Sequence, residues 1–547
     1  MTRRLLFVLV IGGFFVYSGP ASAATCESLA SLTLQNGHVT MAQMVAPGAF
    51  TAPAAPRGGG APARGAAPAA EGRQGAAGRG APAAGRGGRG PAPNPYAALP
   101  AFCRVALTLT PSADSDIKAE VWLPDMATWN GKFQEVGNGG WAGTITYAAM
   151  AAALKSGYVT SSTDTGHVGN GAEFALGHPE KVVDIAYRAI HETAVQSKAV
   201  IAGYYTSPLQ KAYFNGCSLG GRQGITEAQR YPADFDGIIA GAVAWGGMDR
   251  YVGVVMNSVQ MQKTPGGYIP PEKYPAIHDA VLNACDASDG VKDGVLENPL
   301  ACHFDPKALQ CKAGEDNVSC LTAPQVATAN MIYSDRKDPK TGKVLTGGLL
   351  RGTELQWGTL YSPNGYGNAT TALKFIVEKD ANWDPLSFDP AVDIEKAQKA
   401  DPEGILKSDN PNIKAFFDRG GKLFMYQGLQ DPQVTSMNAI RYHQAVIDKV
   451  KGAEGKSVEL FMVPGMLHCQ GGPGTDTWDK AAVLDQWVTT GKAPDKVVAS
   501  HLTDGKADKT RPLCVFPKVA KYSGSGSTDD AANFTCVAPT ALTSGTK

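Results

Sequence analysis

Residues 211–230 combine a serine motif with an abrupt change of secondary structure, and this combination restricts the fold more than any other stretch. Residues 211–215 read as a β-strand and residues 220–230 as an α-helix, with a G-x-S-x-G motif centred on Ser218 between them. Small residues on both sides of a serine let the backbone turn sharply from strand to helix, which exposes the hydroxyl in a strained position. The stretch therefore predicts a nucleophilic serine at the carboxyl edge of a sheet.

Strand and helix patterns alternate on both sides of this turn, which favours a mainly parallel sheet with right-handed crossovers. Predicted strands also cover 104–109, 117–123, 132–136, 157–162, 237–242, 422–427 and 457–463, and predicted helices cover 182–204, 436–450 and 477–490. The fold class is α/β: an α/β-hydrolase core with a mainly parallel sheet and a large inserted lid domain. The lid is the irregular stretch between the strands at 237–242 and 422–427, because a long insertion at strand ends covers an active site.

The domain organisation follows from these patterns. We expect a signal peptide at 1–23, an N-terminal segment of the catalytic domain at 24–45, a disordered insertion at 46–95, the first part of the catalytic α/β-hydrolase domain at 96–245, a lid domain at 246–410, and the second part of the catalytic domain at 411–547.

The N-terminus has the pattern of an export signal. Arg3 and Arg4 precede an apolar run, and Ala21-Ser22-Ala23 is an A-x-A cleavage site. The run is too short to span a bilayer, so no membrane association is expected after cleavage. We expect a secreted or periplasmic protein.

The charge distribution argues against a nucleic-acid enzyme. The chain has 50 basic and 50 acidic residues, but residues 46–95 carry +5 and residues 1–23 carry +2, which leaves −7 elsewhere. A nucleic-acid enzyme would carry its basic face on the fold itself. Residues 46–95 are rich in Ala, Pro, Gly and Arg and cannot bury enough apolar surface to fold, so we expect an expanded loop. Adhesion to an anionic surface is the alternative for this loop.

Ten cysteines behind an export signal imply disulfides. Spacing favours two disulfides that close short local loops, one that anchors the C-terminal tail and one that closes a loop around the insertion. Two cysteines then remain as a fifth pair. These pairs are Cys311–Cys320, Cys285–Cys302, Cys514–Cys536, Cys26–Cys103 and Cys217–Cys469. The chain has no C-x-x-C pair, so a zinc site is not indicated.

Three residues in the order Ser, Asp, His fit a catalytic triad. In α/β-hydrolases the acid and the base follow later strands of the sheet. Asp431 lies just past the strand at 422–427, and His468 lies in a glycine-containing loop after the strand at 457–463. We therefore predict Ser218 as nucleophile, His468 as base and Asp431 as the acid that orients it.

Neighbouring residues support this prediction. A Cys217–Cys469 bridge would bring Ser218 and His468 close together, because bridged α-carbons lie within about 7 Å. The alternative, a Cys217 thiolate nucleophile, is disfavoured by the export signal. The oxyanion hole would use the backbone N–H of Leu219 and one from the glycine-rich turn at 137–143, at Gly140 or Gly139. Asp164 and His167 are interpreted as supports of the loop beneath the site.

A glycine-rich loop in the lid predicts structural calcium. Asp286, Asp289 and Asp293 lie close together in this loop, and the carbonyls of Val291 and Val295 complete the predicted ligand set. Calcium prefers such hard oxygen ligands, although the spacing is not that of an EF-hand. Solvated aspartates in turns are the alternative. We expect no organic cofactor.

The Cys-Ser…Asp…His-Cys arrangement resembles the tannase and feruloyl esterase family, which includes an esterase that cleaves mono(2-hydroxyethyl) terephthalate. The matching segments are 128–133, 137–143, 162–167, 216–222, 234–241, 428–432 and 465–469. The resemblance implies an α/β-hydrolase core, a lid with structural calcium, and hydrolysis of aromatic acid esters. Gln427 departs from the pattern, since many members have histidine there, and the 46–95 insertion is foreign to it.

The resemblance favours a secreted serine esterase for hydroxycinnamic (feruloyl-type) esters that works through an acyl-enzyme. Tannase activity on galloyl esters and terephthalate monoester hydrolysis are the alternatives, and a secreted binding module with an inactive core is an alternative from another class. The expected partner is a small aromatic ester or a plant cell-wall or polyphenol ester. Trp357, Tyr361 and Phe375 of the lid are candidates for stacking the acyl group, or for lid core.

Overall fold

A computed structural model describes residues 24–53 and 94–539 of the chain. The predicted signal peptide and most of the predicted insertion, residues 54–93, lie outside the described residues.

Ten of the strands form one sheet. The strands are β1 (Thr33–Leu34), β2 (Gly37–Val45), β3 (Phe102–Leu109), β4 (Ile117–Pro124), β5 (Lys132–Val136), β6 (Val159–Thr163), β7 (Lys211–Cys217), β8 (Gly237–Gly241), β9 (Arg336–Lys337), β10 (Val344–Thr346), β11 (Lys422–Gly428), β12 (Val458–Val463), β13 (Lys496–Thr503), β14 (Lys506–Cys514), β15 (Val519–Tyr522) and β16 (Phe534–Val537). The sheet order is β1-β2-β3-β4-β6-β5-β7-β8-β11-β12. The six strands β6, β5, β7, β8, β11 and β12 run parallel to one another. Strands β1, β2, β3 and β4 pair antiparallel in that order, and β4 pairs antiparallel with β6. This mostly parallel sheet with helices is the predicted α/β-hydrolase fold.

Helices connect and cover these strands. They are α1 (Tyr147–Lys155), α2 (Pro179–Val183), α3 (Ala189–Tyr204), α4 (Leu219–Arg230), α5 (Gly247–Lys263), α6 (Tyr274–Cys285), α7 (Ala323–Tyr333), α8 (Gly358–Tyr361), α9 (Gly367–Ala372), α10 (Pro390–Ala400), α11 (Lys414–Asp418), α12 (Ser436–Lys449) and α13 (Lys480–Thr490). A π-helical turn at Asp184–Arg188 joins α2 to α3. Helix α13 begins three residues later than predicted, because the Asp479 side chain accepts a hydrogen bond from the Ala482 N–H and caps the helix.

Both faces of the parallel part of the sheet are buried, as parallel sheets require. In β7, Tyr213 and Phe214 point to opposite faces, since successive side chains in a strand alternate. Tyr213 belongs to a cluster with Trp487 of α13, and Phe214 belongs to another with Ile225 of α4. The strand that leads to Ser218 is therefore held on both sides.

Residues between β8 and β11 pack around a hydrophobic cluster of their own. This cluster contains Met248 of α5 and Trp357, together with Trp141 and Leu219 from the turns that follow β5 and β7. The segment 246–410, which we call the lid segment, therefore packs against the end of the sheet at which Ser218 lies.

The ends of the predicted insertion differ from the prediction. Phe50 is 2% exposed and packs edge-to-face on Trp122, with ring centroids 4.5 Å apart. The Asn94 side-chain amide donates to the Phe50 carbonyl at 2.8 Å. The described residues at both ends of the 46–95 stretch are thus ordered on the core, because an aromatic side chain there buries apolar surface that the composition of the stretch as a whole conceals.

The last 50 described residues contain two strand pairs that the sequence patterns did not indicate. Strands β13 and β14 form one antiparallel pair, and β15 and β16 form the other. Their patterns are weak because most residues of β13 and β14 are polar or exposed on one face.

Within residues 24–53 and 94–539, no helix combines the length and the apolar character that crossing a membrane requires.

Candidate active site

Ser218 lies at the turn between β7 and α4 with a strained backbone, at φ 63° and ψ −120°. Its N–H donates to the Gly241 carbonyl at 3.0 Å, which fixes the turn against β8. A Cβ at Gly216 would lie 2.4 Å from the Gly220 carbonyl, so this position of the motif requires glycine. A non-glycine residue held at positive φ is costly and is typical of a functional site.

Asp431 and His468 are hydrogen-bonded to each other. His468 Nδ1 lies 2.8 Å from Asp431 Oδ2, and Asp431 is 1% exposed. The other carboxylate oxygen accepts the N–H groups of Gln433 at 2.8 Å and Val434 at 2.9 Å. Because Asp431 accepts at Oδ2, the Nδ1 atom carries the proton and Nε2 of a neutral ring is left as the acceptor.

The disulfide Cys217–Cys469 joins the two loops that carry Ser218 and His468, with α-carbons 6.0 Å apart. Within the described residues, Ser218 Oγ and His468 are not joined by a hydrogen bond. Such contacts are often loose in ligand-free structures and tighten when substrate binds.

The other disulfides are the predicted ones, and all ten cysteines are paired. The pairs are Cys26–Cys103, Cys285–Cys302, Cys311–Cys320 and Cys514–Cys536. No free cysteine among the described residues is left to serve as a thiolate nucleophile.

The two predicted oxyanion donors, Leu219 and Gly140, line the pocket that contains Ser218. Leu219 is the first residue of α4, so its N–H has no acceptor within the helix. Gly140 lines the same pocket as Ser218 and Leu219, at a φ of 56° that favours glycine. Gly139, the other candidate, does not line this pocket.

The turn that contains Gly140 is braced from below by His167. The His167 Nε2–H donates to the Trp141 carbonyl at 2.8 Å, and Nδ1 lies 3.2 Å from the Thr165 hydroxyl. Burial lowers the pKa of His167, which favours the neutral form of the ring. The side chain of Asp164 accepts the Gly166 N–H at 2.8 Å and shapes this loop. Both residues have the supporting positions that the sequence suggested.

The pocket at Ser218 is lined by residues from the core and from the lid segment. They are Gly140, Trp141, Ser218, Leu219, Arg222, Ala244, Gly247, Arg250, Tyr251, Tyr366, Asn368 and Leu406. Its free volume is only about 20 Å³, so an aromatic ring can enter only when lining side chains move apart.

The three lid aromatics considered for stacking the acyl group do not line this pocket, which favours the alternative that they form lid core. Trp357 is fully buried and donates from Nε1 to the Thr353 hydroxyl at 3.1 Å. Tyr361 is 4% exposed and Phe375 packs against the same cluster of the lid segment. These side chains form the lid core, because burying large apolar surface stabilises an inserted segment as it does any other core.

Among the pocket residues that sequence reasoning missed are Arg250, Tyr251, Tyr366 and Asn368. Two begin α5 and two lie around the start of α9. They belong to no recognisable motif, and only packing of the lid segment against the sheet brings them to Ser218. The signal that the sequence does contain is Arg250, a charged residue among the buried residues at the start of α5.

The predicted calcium loop offers oxygen ligands but also has competing cations. Asp286 is 3% exposed, and its Oδ1 is buried without a partner among the described residues. Asp289 is held by an N–H from Val291, and burial raises its pKa. Asp293 is paired with Lys509 at 3.2 Å and Arg511 at 2.8 Å. The unpartnered buried oxygen fits a bound cation, which would satisfy it.

Comparisons with known proteins agree with this architecture. The model of the tannase and feruloyl esterase family matches residues 103–537. An uncharacterized esterase of Xanthomonas campestris is 33% identical, over 98% of this chain and 95% of its own. A probable feruloyl esterase B-1 of Aspergillus fumigatus is 34% identical, over 80% of this chain and 86% of its own.

Solved structures agree as well. The crystal structure of feruloyl esterase B from Aspergillus oryzae has a TM-score of 0.82 at 29% identity and covers 94% of this chain and 99% of its own. A tannin acyl hydrolase from Aspergillus niger, at 22% identity and a TM-score of 0.69, covers 81% of this chain and 88% of its own and shares the fold. The chain therefore belongs to the tannase and feruloyl esterase family and is a carboxylic ester hydrolase.

Proposed function

We propose that this chain hydrolyses esters of hydroxycinnamic, feruloyl-type acids through an acyl-enzyme formed on Ser218. The observation that carries the proposal is the buried Asp431–His468 pair, which a disulfide joins to the turn that holds Ser218. The name of the Aspergillus relatives, feruloyl esterase, supports the substrate class.

The first half of the reaction forms the acyl-enzyme. Nε2 of His468 accepts the proton of the Ser218 hydroxyl while Oγ attacks the ester carbonyl carbon. The N–H groups of Leu219 and Gly140 donate to the oxyanion, and each such donor contributes about 3 kcal/mol. The tetrahedral intermediate collapses, the bond from carbonyl carbon to alkoxy oxygen breaks, and His468 returns the proton to the departing alcohol.

The second half regenerates the enzyme. Water gives a proton to His468 and attacks the acyl carbon, and Ser218 leaves as the protonated hydroxyl. Asp431 holds the imidazole in one tautomer and stabilises its cation in both halves. Because the pocket is narrow, we infer that the lid segment moves to admit the acyl ring and closes over it to exclude water.

Three esters test this function. We expect hydrolysis of methyl ferulate, with product acid measured by chromatography, and a loss of about 10⁴-fold or more in kcat for Ser218→Ala. Methyl gallate distinguishes a galloyl preference, and p-nitrophenyl acetate reports a working triad irrespective of the acyl group. Activity that survives the substitution would overturn the role of Ser218, and absence of all ester cleavage would favour a binding protein with an inactive core.

We also propose that the lid loop binds calcium. Asp286, Asp289 and Asp293 with the carbonyls of Val291 and Val295 would hold the ion, which would supply positive charge to clustered carboxylates and stabilise the loop. Removal of calcium with EGTA should lower Tm by several degrees, and added Ca²⁺ should restore it. Asp286→Asn should abolish that response and the bound calcium found by mass spectrometry. An unchanged Tm together with calcium-free protein would contradict the proposal.

The site of action is proposed to be outside the cytoplasm. The export signal pattern and the five disulfides support this location. Fractionation of producing cells, with the mature N-terminus determined by sequencing, tests it; full-length protein retained in the cytoplasm would refute it.

A further inference from the structure

His191, Glu227 and Asp234 bring three possible metal ligands together outside the candidate active site. His191 lies on α3, Glu227 lies near the end of α4, and Asp234 lies in the turn that follows α4. One ligand atom from each lies within 4.8 Å of the other two. None of the three lines the pocket at Ser218, and Glu227 is about 12 Å along the axis of α4 from Leu219. The cluster is therefore separate from the candidate catalytic residues.

Glu227 is buried in this cluster without a hydrogen-bond partner. It is 1% exposed, and neither of its carboxylate oxygens is hydrogen-bonded to any residue in 24–53 or 94–539. Burying a carboxylate is costly unless it is paired, hydrogen-bonded or bound to a metal ion. The fold supplies such partners to Asp431, whose carboxylate accepts two backbone N–H groups, but not to Glu227. A bound cation would satisfy Glu227.

Glu135 of β5 is a second buried carboxyl group beside the cluster. It is fully buried, and neither of its oxygens has a hydrogen-bond partner in the part of the chain that the structure describes. Since side chains alternate along a strand, Glu135 faces the same side of the sheet as Phe133. Phe133 stacks on Phe235, the residue after Asp234, with ring centroids 6.4 Å apart. Glu135 therefore adds a carboxyl group to the same buried region.

The nearby donors are bonded to Asp234 and leave the two glutamates uncompensated. Lys198 of α3 donates from Nζ to the Asp234 carbonyl at 2.6 Å, and Nζ lies 3.6 Å from Asp234 Oδ1. His191 Nδ1 lies 2.6 Å from Asp234 Oδ2. Three carboxyl groups thus share one lysine and one histidine. A divalent cation is often the largest charge in such a cluster and supplies the missing positive charge.

The ring of His191 is held in a fixed orientation and can be reached from solvent. It stacks on Tyr231 with ring centroids 3.6 Å apart and ring planes 7° apart. The His191 side chain is 26% exposed, whereas Asp234 and Glu227 lie deeper. An ion can therefore enter past the imidazole, and the neutral ring offers a nitrogen ligand.

We propose that His191, Glu227 and Asp234 bind a divalent transition-metal ion of the zinc type, with the Glu135 carboxylate beside them. Imidazole nitrogen combined with carboxylate oxygens suits Zn²⁺, whereas Ca²⁺ prefers oxygen ligands alone. Small side-chain shifts bring the three ligand atoms to the bonding distance of about 2.0–2.2 Å from one ion. The ion would tie α3 to the end of α4 and the turn after it. Its role is structural, and the inference does not depend on the proposed esterase activity.

Titration of the mature protein with Zn²⁺ tests the site. The protein is first stripped with EDTA and then saturated with Ca²⁺, so that the proposed lid site is filled before Zn²⁺ is added. We expect calorimetry and native mass spectrometry to find one Zn²⁺ per chain at neutral pH, and Tm to rise by several degrees. Absence of bound Zn²⁺ would overturn the proposal and would indicate that Glu227 and Asp234 share a proton instead.

Two variants assign the binding to this cluster. Glu227→Gln keeps the shape of the side chain and removes its charge, and His191→Gln keeps a hydrogen-bond donor for Asp234. Each should weaken Zn²⁺ binding by more than about 100-fold, since even the groups behind metal ligands are worth about 10- to 100-fold in affinity. If Glu227→Gln binds Zn²⁺ as tightly as the wild type does, the binding is adventitious and the proposal is wrong.

A matched control removes a histidine from a different pair. His501 Nδ1 lies 2.7 Å from Asp508 Oδ1 on the exposed surface of β13 and β14, and His501→Gln should bind Zn²⁺ like the wild type. A loss of Zn²⁺ in this variant equal to that in His191→Gln would place the ion elsewhere and refute the site.

The metal-free proteins separate loss of binding from loss of folding. Without metal, Glu227→Gln removes an unpartnered buried carboxyl group, so its Tm at neutral pH should equal or exceed that of the metal-free wild type. A metal-free Tm several degrees below that of the wild type would show that Glu227 has a stabilising partner within the protein, which contradicts the proposal. His191→Gln changes a partly exposed side chain and provides the second test of binding in a folded protein.

Discussion

At the scale of residues, Gln427 directly contacts Asp431, the proposed catalytic acid. It is fully buried at the end of β11, and its Nε2 donates to Asp431 Oδ2 at 3.0 Å and to the Val434 carbonyl at 3.1 Å. All its neighbours on this side are acceptors, so the amide has one possible orientation. Many members of the family have histidine at this position, whereas Gln427 of this chain is a hydrogen-bond donor that does not titrate.

Replacing Gln427 tests its positioning role. Gln427→Leu removes a hydrogen bond to a buried carboxylate, and we expect kcat to fall about 10-fold or more while KM changes little. Gln427→His keeps a ring donor and should recover part of kcat, with an added pH dependence. Steady-state kinetics across pH measures both effects. Unchanged kcat in Gln427→Leu would mean that the two backbone N–H groups alone hold Asp431.

At the scale of elements, the candidate active site joins strand ends that are not neighbours. Strands β7 and β12 are separated in the sheet by β8 and β11. The bridge Cys217–Cys469 connects the turn after β7 to the loop after β12 across this distance. Strand pairing fixes the strands, whereas the bridge fixes the loops that carry Ser218 and His468.

Loss of the Cys217–Cys469 bridge should lower kcat while leaving the secondary structure intact. Small displacements of catalytic groups cost up to about 100-fold in rate. We expect the double variant Cys217→Ala/Cys469→Ala to lose about 10- to 100-fold in kcat while far-UV circular dichroism remains unchanged. Cys514→Ala/Cys536→Ala removes a bridge in the C-terminal strands and should retain kcat. Equal kcat in both double variants would show that the bridge does not position the triad.

At the scale of the whole molecule, buried carboxyl groups make stability depend on pH. Glu459 of β12 is 3% exposed, and burial, with a smaller effect of Glu454, raises its pKa to about 7. The folded state therefore binds a proton that the unfolded state has released. This contribution is complete below pH 4.5 and is lost as the pH rises through 7.

Glu459→Gln isolates this contribution. The wild-type Tm should fall, relative to that of the variant, as the pH rises from 5 to 8, because only the wild type must ionise a buried carboxyl. His443, whose pKa burial lowers to about 4, acts in the opposite direction below pH 6.5, but it does so equally in both proteins. Tm curves that run parallel across this range would contradict the raised pKa of Glu459.

Local patterns predicted much of this molecule and failed in identifiable places. The strand before Ser218 and the acid and base loops were predictable because each has its own turn signal beside a buried strand. For Trp357 the sequence left a pocket role and a core role open, since an aromatic side chain in a core and one in a pocket have the same local pattern. Phe50 was not recognised as a core residue because it lies within the low-complexity stretch 46–95, although its burial packs the start of that stretch on the core.

Periodicity, turn chemistry and spacing along the chain were enough to predict the α/β core, the order Ser218, Asp431, His468 and the five disulfide pairs. Which lid residues line the pocket at Ser218 could be read only from the folded chain. Arg250, Tyr366 and Asn368 reach Ser218 only because the lid segment packs against the carboxyl edge of the sheet. Contacts between segments more than a hundred residues apart depend on how whole surfaces fit, and local sequence patterns do not carry that information.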